Sequence, residues 1–272
     1  MINKIDKQLA KLRESHRKGL MTHVVVGYPS LEATIDIVQA MDDEGVDFIE
    51  LQIPFSDPLA DGPIIQGACE AALQAGTKVS DSFKVAAQLS QTVTAPLLFM
   101  AYFNTVYMYG TERFCKDAAA AGISGLIVPD VPLEAARHEG YLEACRRYNV
   151  HNIITVAPTS TQERLRKNAE IASGFVYCMS RQGVTGTHQS VDIQLQEYIA
   201  RVRKFISTPL AVGFGISNRD ILGQVTAHAD IAVIGSAIID CINNHKEQPP
   251  AVAVKEFLRP LTHDLDATIS TS

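Results

Sequence analysis

One short β-branched run, Phe48-Ile49-Glu50-Leu51-Gln52-Ile53-Pro54, carries an acid at its centre. Successive side chains of a strand point to opposite faces. Ile49, Leu51 and Ile53 therefore share one face, suited to packing under helices, while Phe48, Glu50 and Gln52 share the other. A carboxylate on an enclosed face is costly unless it is paired or protonated. Desolvation also moves a carboxyl group's titration upward, toward the range in which it can give and take a proton near neutrality. Glu50 is thus a candidate general acid/base; the plainer alternative is a structural carboxylate bonded to nearby backbone. The next loop, Phe55-Ser56-Asp57-Pro58-Leu59-Ala60-Asp61-Gly62-Pro63, is stiff without being regular, which suits placement of a side chain. Asp61 follows Glu50 by eleven residues and can return over the same end of the sheet. As turn formers, Asp57 and Asp61 would need no further role.

Two glycine-bearing segments suit an anion. Gly213-Phe214-Gly215-Ile216-Ser217 follows one apolar run, and Ile234-Gly235-Ser236-Ala237 follows the next and opens a helix. Glycines let backbone N–H groups approach an oxyanion, and a helix N-terminus adds its dipole. Gly183-Val184-Thr185-Gly186 is a third such loop, able to close over a ligand or to act as an ordinary turn. Schiff-base cleavage would need a lysine near a strand end, and none of the candidate strands holds one. Metal-assisted cleavage would need clustered ligands, whereas the eight histidines are scattered and His151 falls at the start of a strand. No metal site is expected, and acid–base and electrostatic catalysis by Glu50 and Asp61 remains.

The elements that must position these groups alternate. Apolar runs lie at 22–26, 48–53, 96–103, 125–128, 152–156, 174–179, 209–214 and 231–234. Amphipathic stretches at 31–43, 82–89, 112–121, 133–147, 161–172, 193–205 and 219–227 separate them. Alternation of this kind implies parallel βαβ units, and eight of them without a second domain imply a closed (β/α)8 (TIM) barrel spanning 1–272. An open dinucleotide-binding sheet is disfavoured, because Gly27-Tyr28-Pro29-Ser30 after the first run lacks the G-x-G-x-x-G pattern. Ser30, Ser160 and Ser217 are candidate helix caps. An extra helix at about 4–15 precedes the first strand and can plug the barrel bottom. Active sites of this fold sit at the C-terminal ends of the strands, with phosphate commonly held after strands seven and eight.

Length and composition agree with one large core: 272 residues, 46% of them hydrophobic. The net charge of −6, with acids and bases interspersed, argues against nucleic acid as a primary partner. No apolar run is long enough for a membrane span, and the N-terminus shows no apolar signal core. A cytoplasmic protein is expected. Five widely spaced cysteines without a C-x-x-C suggest buried free thiols.

These residues carry a family resemblance. The stretch from Phe48 to Pro63 resembles the signature of the tryptophan synthase α subunits. So do Gly125-Leu-Ile-Val-Pro-Asp-Val-Pro132, Ala157-Pro-Thr159, Gly174-Phe-Val-Tyr177, Gly183-Val-Thr-Gly186 and Gly213-Phe-Gly-Ile-Ser217, in family order over nearly the whole chain. The resemblance implies a lyase that splits indole-3-glycerol phosphate into indole and glyceraldehyde 3-phosphate. It implies Glu50 as acid/base and Asp61 as the acid that stabilises charge at the indole N–H. Thr185 would pair with that aspartate on closure, and Tyr177 would line the pocket. Gly186, Gly215, Gly235 and Ser236 would hold phosphate, and Met100, Ile127 and Phe214 would surround the indole. It further implies a β subunit as partner in an α2β2 complex, contacted near Asp57, Asn104 and Pro132. Pyridoxal phosphate would belong to that partner, so this chain would need no cofactor of its own.

Two departures stand out. The family usually has Gly where this chain has Gln52, which by alternation lies on the Glu50 face. It would either crowd the indole pocket or hydrogen-bond Glu50. The segment before Gly27 also departs, with His23 and little aromatic content. The rival to the lyase reading is a catalytically impaired barrel that only activates a partner.

Overall fold

A computed structural model describes residues 2–179 and 188–267. The described residues form nine parallel strand segments: β1 (Gly19–Val25), β2 (Phe48–Gln52), β3 (Leu97–Met100), β4 (Ile123–Ile127), β5 (His151–Ile153), β6 (Thr155–Val156), β7 (Val176–Met179), β8 (Leu210–Gly213) and β9 (Ile231–Ile234). Their order across the sheet is β5-β4-β3-β2-β1-β9-β8-β7-β6. The two ends of that order, β5 and β6, are halves of one expected strand separated only by Ile154. β5 pairs with β4, and β6 pairs with β7. The sheet therefore curls back on itself through a single stretch of chain, and the eight expected strands form a (β/α)8 barrel.

Helices pack outside this sheet, over a layer that includes Ile49, Leu51, Ile53, Phe99, Val176 and Ile234. The alternate residues face inward. Met21, Phe48, Leu98, Phe175 and Ile231 fill the lower barrel together with Ile5 and Leu12 from the helix Lys4–Glu14. That helix is the expected plug. Full burial of Ile5 and Leu12 contributes about 2 kcal/mol each. Small residues make room for it: a Cβ on Gly125 would lie 2.8 Å from Ile5 Cδ1, and one on Gly19 would lie 2.9 Å from Leu12 Cδ1. Asn3 pins the helix start. Its Oδ1 accepts from Ile5 N at 2.8 Å, and its Nδ2 donates to the carbonyls of Ser124 at 2.9 Å and Asn149 at 2.8 Å. His151 lies at this same end, 3.0 Å from Asp6.

Some boundaries differ from expectation. Ser30 caps Leu31–Asp43 as expected, accepting from Ala33 N at 3.0 Å. In the other two cases the next residue is the cap: Thr161 Oγ1 accepts from Arg164 N, and Asn218 Oδ1 accepts from Ile221 N. The stretch 133–147 is two helices, Leu133–His138 and Tyr141–Arg147, because Gly140 adopts a left-handed φ of +68° between them. The expected strand at 96–103 stops at Met100, and Phe103–Tyr109 is helical. Another helix, Pro63–Gln74, directly follows the Asp61 loop. All five cysteines are buried and free.

Candidate active site

Glu50 sits midway along β2, points into the barrel and is buried. In the parallel register of β1 and β2 its partner is His23. His23 Nδ1 lies 3.3 Å from Glu50 Oε1, and both side chains are enclosed. Burial alone would push the imidazole's pKa down. The Glu50 carboxylate and its hydrogen bond to the ring, with a smaller contribution from Asp61, outweigh burial and hold the pKa above the ordinary histidine value. The opposite atoms of the pair, His23 Nε2 and Glu50 Oε2, make no hydrogen bond with the described residues.

Asp61 returns over the end of β2, as expected. Two donors converge on one of its oxygens: Gln52 Nε2 at 2.7 Å and Tyr102 Oη at 2.8 Å, both to Oδ2. Tyr102 Oη in turn accepts from Ala60 N at 3.0 Å, and its ring stacks on Phe55 with centroids 5.1 Å apart. The backbone carbonyl of Asp61 is held by Gln66 Nε2 at 2.8 Å, which ties the loop to the start of helix Pro63–Gln74. Burial raises the Asp61 pKa. His23 and the Tyr102 and Gln52 hydrogen bonds pull it back, and the Glu50 charge adds to the rise. Gln52 thus bonds Asp61 rather than Glu50, correcting the sequence expectation. The reason is reach: Gln52 is the last residue of β2, level with the returning loop. Its Oε1 is buried without a hydrogen-bond partner.

His23, Glu50 and Asp61 face a cavity of about 170 Å³ at the C-terminal end of the strands. Met100, Ile127 and Tyr177 line it, as expected, as do Gly215, Gly235 and Ser236. Gly235 stands immediately before the helix Ser236–Asn244, so first-turn N–H groups of that helix open toward the cavity. Gly215 has a left-handed φ of +62°. Gly213 brings β8 close to Tyr177, since a Cβ there would lie 2.9 Å from Tyr177 Oη. Phe214, expected beside Met100 and Ile127, is not among the lining residues; just past the end of β8 it is partly buried and packs against the helix-facing layer. Thr185 and Gly186, with the rest of the loop that holds them, lie outside the described residues.

His23 and Tyr102 were missed as site residues. Strand parity could have found both: His23 is two residues beyond the inward Met21, and Tyr102 is two beyond the inward Met100. Asp57, Asn104 and Pro132 are exposed in the connections after β2, β3 and β4, three adjacent strands whose following segments lie at the same end of the barrel. Leu59, Tyr107 and Met108 are exposed beside them, Leu59 at 90%. Among the described residues no group of three or more His, Cys, Asp or Glu side chains could hold a metal ion.

Fold and site together define a (β/α)8-barrel enzyme with carboxylates at the C-terminal mouth of its strands. Residues 9–266 match the family model described as tryptophan synthase alpha chain. The tryptophan synthase alpha chain of Desulfotalea psychrophila is 43% identical over 251 residues, covering 92% of this chain and 98% of the relative. That of Thermoanaerobacter sp. is 38% identical over 261 residues, covering 96% and 98%. Among solved structures, the tryptophan synthase alpha chain of Legionella pneumophila superposes with a TM-score of 0.88 at 30% identity, covering 98% of each chain. A chain of the aminoacrylate-bound tryptophan synthase of M. tuberculosis gives 0.85 at 30% identity, covering 96% and 98%. The chain belongs to the tryptophan synthase alpha chain family. It is a lyase of tryptophan biosynthesis that cleaves indole-3-glycerol phosphate to indole and glyceraldehyde 3-phosphate.

Proposed function

We propose that Glu50 carries the proton traffic of this cleavage and that Asp61 carries its electrostatics. The supporting observation is that both acids face one cavity and each has an oxygen left over: Glu50 Oε2 has no hydrogen bond, and both bonds to the Asp61 carboxylate fall on Oδ2. Cleavage needs a proton delivered to indole C3 and another removed from the side-chain hydroxyl next to the ring. The hydroxyl oxygen then becomes the aldehyde, and the electrons of the broken C–C bond return to the indole. A single carboxylate that takes the hydroxyl proton and gives one to C3 ends as it began. Asp61 faces the positive charge that builds at the indole N–H when C3 is protonated. Tyr177, Met100 and Ile127 form the wall around the ring.

In this reading the phosphate lies against Gly215, Gly235 and Ser236, where open N–H groups and the dipole of helix Ser236–Asn244 meet it. Gly186 would add a further backbone donor, and Thr185 would pair with Asp61 on closure. The surface carrying Asp57, Asn104 and Pro132 receives a β subunit in an α2β2 assembly, and exposed Leu59 and Met108 supply its apolar contacts. Pyridoxal phosphate belongs to that partner, since no lysine is among the described residues lining this cavity. The chain acts as one barrel domain in the cytoplasm.

The test is release of glyceraldehyde 3-phosphate, with a β subunit present, by the unchanged chain and by Glu50→Gln. The expected loss is about 10²- to 10⁴-fold, with inorganic phosphate binding retained. Equal rates would remove Glu50 from the role. An inactive unchanged chain that still stimulates its partner would make it an activator.

A further inference from the structure

The cavity wall has an unusual charge balance. It presents two carboxylates, Glu50 and Asp61, to a substrate that itself carries a phosphate. Among the described residues lining it, His23 is the only side chain able to bear a positive charge. That imidazole is buried, is bound to Glu50 through Nδ1 at 3.3 Å, and leaves Nε2 unpartnered.

We propose that His23 is a positioning residue for the cleavage, binding Glu50 through Oε1 so that Oε2 alone meets the substrate, and supplying the cation that offsets the two wall carboxylates. This rests on the assignment of Glu50 as the acid/base. His23 does not touch the reacting atoms in this arrangement. It acts by fixing one rotamer of Glu50 and by its charge, and its imidazolium form is the effective one.

The groups that face the imidazole are few. Glu50 faces it from β2 and Asp61 from the following loop, Tyr177 of β7 shares its cavity wall, and Tyr102 bonds that same Asp61. Burial, with the charges of Glu50 and Asp61, pushes the Tyr177 phenol well above its usual range, and Tyr102 is likewise raised by burial and by Asp61. Cys69, on helix Pro63–Gln74 beside the Gln52 amide, is pushed up to about 12 by burial. On the remaining side Val233, Gly235 and Ser236 of β9 and the following helix do not titrate near neutrality. Asp240 of that helix lines a separate cleft. Among these neighbours His23 is therefore the group whose proton is lost above the ordinary histidine value, the two carboxylates favouring its charged form.

Cleavage rates should be followed against pH for the unchanged chain, His23→Phe, His23→Asn and Glu50→Gln, each with a β subunit present. At neutral pH, His23→Phe should lower kcat about tenfold, the scale of one charge-assisted hydrogen bond, with KM within about twofold. The unchanged chain should lose rate as pH rises above the ordinary histidine range. Both His23 variants should lack that decline, so the curves converge at high pH. His23→Asn keeps a donor near the Nδ1 position but no charge, and it should recover part of kcat without restoring the decline. An alkaline decline in the His23 variants identical to that of the unchanged chain, or an unchanged kcat in His23→Phe, would overturn the proposal. Glu50→Gln separates the two ideas. If it stays active, the acid/base assignment has failed and this inference with it. If it is inactive while His23→Phe behaves like the unchanged chain, only the role of His23 has failed.

Discussion

Gln52 Nε2 donates to Asp61 Oδ2 at 2.7 Å, joining the last residue of an inner strand to the acid that closes over it. This bond helps hold Asp61 ionised against burial. Gln52→Gly removes it and leaves Tyr102 as the remaining donor. The expected outcome is a fall in kcat/KM of about fivefold, the scale of one net hydrogen bond. The fall should be larger at acidic pH, because the Asp61 pKa rises further. A rate profile equal to that of the unchanged chain would show that the amide is only filling space.

Tyr102→Phe removes the second donor to the same oxygen and leaves Ala60 N without its acceptor, while the stack on Phe55 can persist. Unfolding free energy should drop by about 1 kcal/mol, and kcat/KM should drop at least as far as in Gln52→Gly. Both variants act through one carboxylate, so the double variant should depart from the sum of the single effects by about 0.5 kcal/mol or more. Simple additivity in a double-mutant cycle would separate the two donors.

Gly213→Ala tests the close approach of β8 to Tyr177. The added methyl would meet Tyr177 Oη at 2.9 Å, and the ring must swing into the cavity. Overpacking of this kind costs about 1 to 2 kcal/mol, readable by denaturant titration. Activity should suffer more, by about tenfold, since a small displacement of a wall group disturbs substrate placement. Unaltered kinetics would mean that the tyrosine has no part in positioning.

Asn3→Ala should do the reverse, changing stability and sparing catalysis. It removes a helix cap and two hydrogen bonds to the carbonyls of Ser124 and Asn149. The expected cost is about 2 kcal/mol in thermal or denaturant unfolding, with cleavage rates unchanged below the transition.

The imidazole also links stability to pH. The folded His23 pKa lies above its unfolded value of 6.5. Its stabilising contribution is therefore complete below 6.5 and is lost as pH rises through the folded value. Between those points the unfolding free energy of the unchanged chain should fall with rising pH more than that of His23→Phe. Parallel curves would show no linkage at this site.

Strand parity made much of this architecture legible beforehand. The inward set Phe48, Glu50 and Gln52 follows from a period of two, and so does the outward set on the same strand. The same rule, carried into β1 and past β3, points to His23 and Tyr102. Other features depended on geometry that residue type does not encode. Ser160 and Thr161 are both good caps, as are Ser217 and Asn218, and only the backbone decides which oxygen meets the first-turn N–H groups. The break at Gly140 was hidden because amphipathic spacing continues across it. The Gln52–Asp61 bond needed the path of a loop whose composition shows stiffness but not direction.

The helix Lys4–Glu14 stoppers the barrel at its base. Among the described residues Ile5, Leu12, Phe48 and Phe175 pack together there, and the staves above them are packed on both faces. The cavity that holds Glu50 lies at the opposite end, beneath the rim that carries Asp61 and the exposed Leu59. Anything docked on that rim is positioned to govern how ligands enter and leave, a control exerted apart from the catalytic carboxylate beneath it.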